Sequence, residues 1–195
     1  MGKVIIGTHI QMLGTMNITE AQLERAIYSV WDFQQALSAL TFLLQDCDFD
    51  AKYSKVELRR FRCYETTLII SMARPFETTR KGTTIGLRAL GITLSQDQKA
   101  LVEKILELRR KIVAHSAEEE MHFRVTTFPI KDMGFNFTHF QFNEGLHLGE
   151  KELRELEYFL RVLTNQMGEF FYKVAQEQPD MLARYKEPSS WSSSD

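Results

Sequence analysis

Residues 149–177 have the sequence GEKELRELEYFLRVLTNQMGEFFYKVAQE, in which apolar side chains recur at alternating steps of three and four residues. Such steps place the side chains on one stripe of an α-helix, and an unbroken stripe is typical of a helix that packs lengthwise against another long helix. The stripe consists of Leu153, Leu156, Leu160, Leu163, Met167, Phe170 and Val174. The sequence therefore predicts a long, half-buried helix from about Gly149 to Glu177.

Two helices with clear boundaries are predicted in the first part of the chain. The first begins at Thr19, which forms a capping box with Gln22, and its apolar stripe is interrupted by the sequence DCDFD at residues 46–50. The second covers about residues 53–76 and stops or bends near Pro75, because the residue before a proline disfavours the helical conformation.

A third helix is predicted from Ser95, with Gln98 at the matching position of the capping box, and it fades soon after His115. Together with the helix at residues 149–177, this makes four long helices in one chain. The predicted fold class is therefore mainly α, a four-helix up-down bundle.

Between the third and fourth helices the pattern changes from helical spacing to an alternation of aromatic and polar residues. It predicts a β-hairpin inserted at about residues 121–143, with a turn at residues 131–134 and a bulge where the aromatic phase slips between Phe137 and Phe140. We expect its phenylalanines to form a small aromatic core over the bundle or a dimer contact, with base stacking as an alternative. The domain should span residues 1–186, followed by a disordered tail at residues 187–195.

Composition narrows the class of protein without indicating a ligand. The formal net charge is −2 and the pI is about 6.2, so the overall charge argues neither for nor against binding of nucleic acid. Cys47 and Cys63 are too few for a disulfide framework or a zinc site, and we interpret them as buried side chains in a reducing compartment. We predict no metal, no cofactor, no signal peptide and no membrane span, and hence a cytoplasmic protein.

The segment with most chemical content is LRRKIVAHS at residues 108–116, which ends the third predicted helix. One interpretation is structural, because the cations Arg109, Arg110 and Lys111 stabilise the helix dipole while His115 packs at the edge of the apolar stripe. The other is a phosphate site, in which arginine and lysine bind phosphate oxygens and the histidine transfers a proton. These groups are sufficient for RNA cleavage without a metal.

The spacing within this segment constrains how such a site is assembled. Arg110 and His115 lie about 140° apart around a regular helix, so they do not share one face. Either the helix unwinds before His115, or a second copy of the chain supplies one of the two groups. The second possibility predicts a homodimer with a composite site.

On these residues the chain resembles the HEPN superfamily, the higher eukaryotes and prokaryotes nucleotide-binding proteins. The resemblance consists of Arg110, four intervening residues and His115 on the third of four long helices, followed by Ser116. It implies a dimeric, metal-independent endoribonuclease of a toxin–antitoxin or phage-defence system, in which Arg110 contacts phosphate and His115 is the catalytic base or acid. Arg109, Lys111 and Ser116 would support substrate binding, although Lys111 stands where the family often has Asn or Asp.

The resemblance also implies possible partners and one alternative. A toxin of this kind would act on RNA as a homodimer and would be bound by an antitoxin. Several members of the superfamily instead serve as non-catalytic modules that bind a nucleotide, RNA or a protein through the same helix end. Both functions remain expectations from the sequence.

The second predicted helix contributes two further candidate residues, Arg62 and Glu65. Glu65 lies between apolar residues four positions away on either side and should face inward, where a carboxylate needs a partner. Arg109 or Arg110 is the candidate partner of such an inward carboxylate, and the alternative is a local ion pair with Arg62 on a half-exposed face of the helix. Further basic residues are expected around one end of this helix and its loop, where they either guide a nucleic-acid backbone or form ordinary surface, namely Arg59, Arg60, Arg74, Arg80, Lys81 and Arg88.

Overall fold

A computed structural model of the chain shows a mainly helical protein with one small antiparallel hairpin. The structure describes residues 18–78, 86–87, 93–113, 123–130, 135–142, 144–183 and 185. The elements are α1 (Glu20–Asp46), α2 (Lys55–Ala73), a 3-10 turn (Arg74–Phe76), α3 (Gln96–Leu108), a π-type turn (Arg109–Val113), β1 (Phe123–Pro129), β2 (Asn136–Phe142), α4 (Glu150–Glu177) and the short α5 (Pro179–Leu182).

The helix starts follow from local side-chain chemistry. The predicted capping box at Thr19 is confirmed, with the Gln22 side chain accepting from the Thr19 N–H at 2.9 Å and the Gln22 N–H donating to the Thr19 hydroxyl at 3.3 Å. The box at Ser95 is confirmed in the same way. Helix α2 starts at Lys55 because Ser54 forms a third box with Glu57, a signal that the sequence analysis missed.

The long apolar stripe of α4 forms the centre of the core. All seven of its predicted members are buried, and Leu153, Leu156, Leu160 and Leu163 have no exposed surface. Helix α1 packs against α2 and α4, and α3 contacts both α2 and α4. Burial of these side chains supplies the main driving force for folding, of the order of 1.5–3 kcal/mol for each fully buried leucine or phenylalanine.

The end of α2 confirms the effect predicted for Pro75. The regular helix stops at Ala73, and Arg74–Phe76 continue as a single 3-10 turn with Pro75 near its start. Helix α4 likewise ends at Glu177, next to Pro179, which begins the short helix α5.

The hairpin is present where the sequence predicted it, but without the expected bulge. Its register is continuous from the Phe123–Phe142 pair to the Pro129–Asn136 pair, so the predicted bulge between Phe137 and Phe140 is wrong. In an uninterrupted strand, residues three apart lie on opposite faces. The large apolar side chains that the structure describes in β1 and β2, from Val125 to Phe142, remain about half exposed, which contradicts an aromatic core laid over the helices.

The two cysteines do not share one environment. Cys47 is half-buried, whereas Cys63 is exposed on α2, so the prediction that both are buried is wrong for Cys63. Burial raises the pKa of the Cys47 thiol. The turn predicted at residues 131–134 and the tail at residues 187–195 lie outside the described residues.

Candidate functional site

The helix that carries the arginine of the motif changes its hydrogen-bonding pattern at that point. Helix α3 is regular up to Leu108, and Arg109–Val113 form a π-type turn. In such a turn the hydrogen bonds run from residue i to residue i+5, so residues five apart approach each other along the axis. The helix thus departs from regular geometry over Arg109–Val113, so the 140° separation calculated for a regular helix does not apply across this turn.

Arg109 is fixed by an ion pair with a distant segment. Its Nη1 lies 2.6 Å from Oε1 and 2.5 Å from Oε2 of Glu77, the residue that follows the 3-10 turn. Both side chains are roughly one-third exposed. Arg109 therefore joins the end of α3 to the end of α2, and its charge is already compensated.

Lys111 is engaged locally. Its Nζ lies 2.6 Å from a carboxylate oxygen of Glu107, one helical turn earlier. The hydrogen bond and charge of Lys111 lower the pKa of the Glu107 carboxyl. This exposed pair places a compensating negative charge beside Lys111, the third cation of the motif.

Arg110 differs from both of these neighbours. Its side chain is exposed, and its Nε donates to the backbone carbonyl of Leu106 at 3.1 Å, which anchors the base of the guanidinium. Among the residues that the structure describes, no carboxylate lies within ion-pair distance of Arg110, although its charge contributes, after Lys111, to the lowered pKa of the Glu107 carboxyl. A guanidinium has a planar set of donors that can bind an anionic ligand such as a phosphate.

Glu65 faces inward as predicted, with 1% of its surface exposed, but its partners are not the arginines of the motif. One carboxylate oxygen accepts from the backbone N–H of His147 at 2.7 Å and of Leu148 at 2.8 Å. The other accepts from Nη1 of Arg62 at 3.1 Å. The expected pairing of Glu65 with Arg109 or Arg110 is therefore wrong. The local pair with Arg62 is confirmed, but the half-exposed face expected for it is wrong, because the Glu65 side chain is buried.

These contacts give Arg62 and Glu65 a positioning role. Arg62 Nη1 also donates to the carbonyl of Gly145 at 3.1 Å, so the two side chains hold the backbone between the hairpin and α4 from both ends. Burial raises the pKa of the Glu65 carboxyl, and the hydrogen bond from Leu148 and the charge of Arg62 oppose that shift. The hydrogen bond between Arg62 and Glu65 and that of Arg110 share no residue. The described contacts therefore do not join these three side chains in one binding site.

A polar network at the end of α2 was missed by the sequence analysis. Asp32 of α1 is buried and accepts from Arg74 at 3.2 Å, while Arg25 Nη2 donates to the carbonyls of Arg74 and Glu77. Burial raises the pKa of the Asp32 carboxyl, and its hydrogen bond with Arg74 opposes the shift. The available signal was an aspartate directly beside Phe33 in an apolar stripe, which requires a partner from another element.

The basic residues near α2 do not form one uncompensated surface. Arg59 donates two hydrogen bonds to the Glu144 carboxylate, at 2.8 and 2.9 Å, and Arg60 lies 3.5 Å from the Asp46 carboxylate. Both belong to the first half of α2, whereas Arg74 lies at its other end and pairs with Asp32. The charge predicted around one end of this helix is thus divided and neutralised. Three residues of that prediction, Arg80, Lys81 and Arg88, lie outside the described residues.

The second half of the motif is not part of the described structure. His115 and Ser116 lie in the gap at residues 114–122, so their distance from Arg110 stays a prediction. No cluster of three metal-binding side chains occurs within the described ranges. Of the helices in those ranges, none has both the length and the apolar character needed to cross a bilayer.

Comparisons of the chain with protein-family models, with curated proteins and with solved structures find no match.

Proposed function

We propose that the protein is a metal-independent endoribonuclease of the HEPN type that acts as a homodimer in a toxin–antitoxin or phage-defence setting. The observation that carries the proposal is the state of Arg110. It is an exposed guanidinium in a π-type turn, anchored at Nε and without a carboxylate partner among the described residues. Turns of this type occur frequently at functional sites.

The proposed reaction uses the two residues of the motif in separate roles. His115 takes the proton of a ribose 2′-hydroxyl, and the 2′-oxygen attacks the adjacent phosphorus. The new O2′–P bond forms as the P–O5′ bond breaks, and the departing 5′-oxygen takes a proton from water, while the protonated His115 returns its proton to the solvent afterwards. The products are a 2′,3′-cyclic phosphate and a 5′-hydroxyl. Arg110 stabilises the negative charge on the non-bridging oxygens, which develops most fully in the transition state.

We infer that helices α1–α4 form the up-down four-helix bundle of that family. The packing of α1 on α2 and α4, and of α3 on the same two helices, supports this arrangement. In it, Arg109 has a supporting role, because its ion pair with Glu77 ties the end of α3 to α2 and so orients the turn that presents Arg110.

Cleavage of RNA in the presence of a chelator is the direct test. Purified full-length protein should cut a labelled single-stranded RNA in EDTA, and Arg110→Ala and His115→Ala should each lower the rate about 100-fold or more. Arg161→Ala is a matched control, because Arg161 is an exposed arginine of α4 in a local pair with Glu157. Absence of cleavage by the wild-type protein, or unchanged cleavage by His115→Ala, would refute the proposal.

The composite site can be tested by mixing the two inactive variants. If Arg110 and His115 of one site come from different subunits, a heterodimer of Arg110→Ala and His115→Ala retains one intact site of two. Random exchange of subunits should then restore about a quarter of the wild-type activity. If both groups come from one subunit, the mixture stays inactive, and the site is not composite.

A non-catalytic binding module is the second candidate, and the position after Arg110 favours it. Lys111 replaces the small polar residue often found there, and it is held by Glu107. This function predicts that the protein binds RNA or a nucleotide without turnover and loses that binding on charge reversal by Arg110→Glu. Cell toxicity on induction, lost in His115→Ala, would favour the toxin instead.

A further inference from the structure

The hairpin of β1 and β2 exposes an unusual amount of aromatic surface. Its apolar side chains have between 45% and 54% of their surface exposed, namely Val125, Phe128, Phe135, Phe137, Phe140 and Phe142. Large exposed apolar patches on a protein mark interaction sites. A two-stranded hairpin with neither face covered is also only marginally stable in water, so a ligand that covers it stabilises it.

The continuous register divides these side chains between two faces. The pairs Phe128–Phe137, Thr126–His139 and Arg124–Gln141 follow one another along one face of the hairpin, which we call the arginine face. The Phe128 and Phe137 rings confirm this, with centroids 5.4 Å apart. The opposite face carries Val125 with Phe140, and a contact between the Thr127 and Thr138 hydroxyl oxygens at 3.3 Å.

The arginine face combines flat rings with hydrogen-bonding groups. Neighbouring pairs on one face are separated by about 7 Å. Along the strand direction, the two phenylalanines are therefore followed by the histidine and then by the arginine. Single-stranded nucleic acids are bound by this combination, in which bases stack on aromatic side chains and cations contact the phosphates.

The charge of the hairpin fits the same class of ligand. Neither β1 nor β2 contains an aspartate or a glutamate. Arg124 is exposed and has no ion-pair partner among the described residues. At the root of the hairpin, Arg124 and Lys55 line a groove of about 630 Å³ together with Phe142. The Glu144 carboxylate at this groove is already bound by Arg59, so the groove retains an excess of positive charge.

A second copy of the hairpin is a poorer occupant of this surface. In a two-fold symmetric contact, the patch of one subunit meets the same patch of the other. Arg124 would then face strands that contain no carboxylate, and its charge would be desolvated without compensation. A polyanion with stackable bases satisfies both the rings and the arginine.

We propose that the arginine face is a binding platform for single-stranded RNA. Bases stack on Phe128, Phe137 and His139, and the phosphates pass Arg124 into the groove beside Lys55. This inference rests on the proposed function in one respect, since it takes RNA to be the ligand, and it names the surface that holds the RNA outside the cleavage site.

Binding of a fluorescein-labelled twelve-nucleotide oligouridine, followed by anisotropy, tests the platform. The full-length His115→Ala protein is used throughout, so that turnover does not consume the probe. The double variant Phe128→Ala/Phe137→Ala should weaken binding about tenfold or more, because stacking on each ring contributes that much per base. Phe137→Tyr keeps a ring and should bind within about twofold of the parent. Tyr172→Ala, an exposed aromatic residue on α4, should also leave binding unchanged.

The contribution of Arg124 is tested separately through salt. Arg124→Ala should lower the slope of log Kd against log salt concentration by about one, as expected for the loss of one phosphate contact. This substitution removes no packed side chain, so it keeps the test valid if the double phenylalanine variant fails to fold.

Three outcomes would overturn the inference. The first is no binding of the oligonucleotide by the parent protein. The second is equal binding by the hairpin variants and Tyr172→Ala. The third is dissociation of a dimer by the phenylalanine substitutions with RNA binding unchanged, which would make the hairpin a subunit contact.

Failure of this inference is distinguishable from failure of the proposed function. Cleavage that depends on Arg110 but not on the hairpin overturns the platform alone. Binding through the hairpin without any cleavage by the wild-type protein overturns the nuclease and supports the platform.

Discussion

The carboxylate of Glu65 in α2 accepts a hydrogen bond from the backbone N–H of Leu148 at 2.8 Å, across 83 positions of the chain. The contact lies just before α4, and Leu148 is itself 2% exposed. One buried charged group thus fixes where the chain returns from the hairpin to the helical core. Because Arg62 binds the same carboxylate and the carbonyl of Gly145, the root of the hairpin is held by α2 as well.

Removal of this carboxylate should destabilise the protein strongly. Glu65→Ala leaves the N–H groups of His147 and Leu148 and the Arg62 guanidinium without their acceptor, and we expect a loss of about 3–5 kcal/mol in the free energy of unfolding. Glu65→Gln keeps an acceptor and should lose less, about 1–2 kcal/mol. Urea denaturation measures both. Glu155→Ala, at an exposed local pair, is the control and should have little effect. A loss for Glu65→Ala no larger than for this control would contradict the assigned role.

The same group should make stability depend on pH in a defined direction. Burial raises the pKa of Glu65 above its ordinary value of 4.5, so the folded protein binds this proton more tightly than the unfolded chain does. The resulting stabilisation is complete below the ordinary value and is lost as the pH rises through the raised pKa.

The measurement compares wild type with Glu65→Gln, which cannot titrate at this position. The free energy of unfolding of the wild type minus that of the variant should decrease as the pH rises above the ordinary value of 4.5 and through the raised pKa. Subtraction of the variant removes the contribution of other carboxyls, including Asp32. A difference that increases with pH would mean that the hydrogen bonds from Leu148 and Arg62 outweigh burial.

Local features of the sequence predicted most of the fold. The stripe of α4 and the capping boxes at Thr19 and Ser95 involve residues three or four positions apart. Both partners of each contact can therefore be recognised in one short stretch of sequence. The hairpin was located for the same reason. Its exposed faces were not predicted, because alternation shows that a strand has two faces but not whether another element covers them.

The site was predictable only where its contacts are local. The inward direction of Glu65 follows from its neighbours on α2, and its pair with Arg62 spans three residues. Its backbone partners at His147 and Leu148, and the pairing of Arg109 with Glu77, depend on how helices pack. A π-type turn at Arg109 has no simple pattern in the residues that form it, so the regular-helix assumption could not be corrected from the sequence.

The two thiols should react at different rates. Cys63 is exposed, whereas Cys47 is half-buried and its pKa is raised by burial and by the charges of Asp48 and Glu150. Since the thiolate is the reactive form, we expect limiting iodoacetamide at neutral pH to modify Cys63 about tenfold faster or more. Peptide mass spectrometry measures the two rates, and they should converge in denaturant. Faster labelling of Cys47 in the folded protein would contradict the burial assigned to it.

Substitution of Arg109 should mainly lower the stability of the protein, whereas substitution of Arg110 should mainly lower its activity. Arg109→Ala leaves Glu77 without its partner and should lower the free energy of unfolding by about 1 kcal/mol, a modest value because the pair is partly exposed. Arg110→Ala breaks no ion pair of the described residues and should change stability by less than about 0.5 kcal/mol.

Cleavage of RNA should show the reverse order for these two variants. Arg110→Ala should lose about 100-fold or more in rate, and Arg110→Lys should recover only part of it, because lysine keeps the charge but lacks the planar fork that binds two phosphate oxygens. Arg109→Ala, measured well below its melting temperature, should lose less than about tenfold, since it acts on the turn and not on the phosphate. Urea denaturation and initial cleavage rates on the same preparations give both quantities. Equal loss of activity in Arg109→Ala and Arg110→Ala would move the phosphate contact away from Arg110 or divide it between the two side chains, and the distinction drawn from the Glu77 pair would no longer hold.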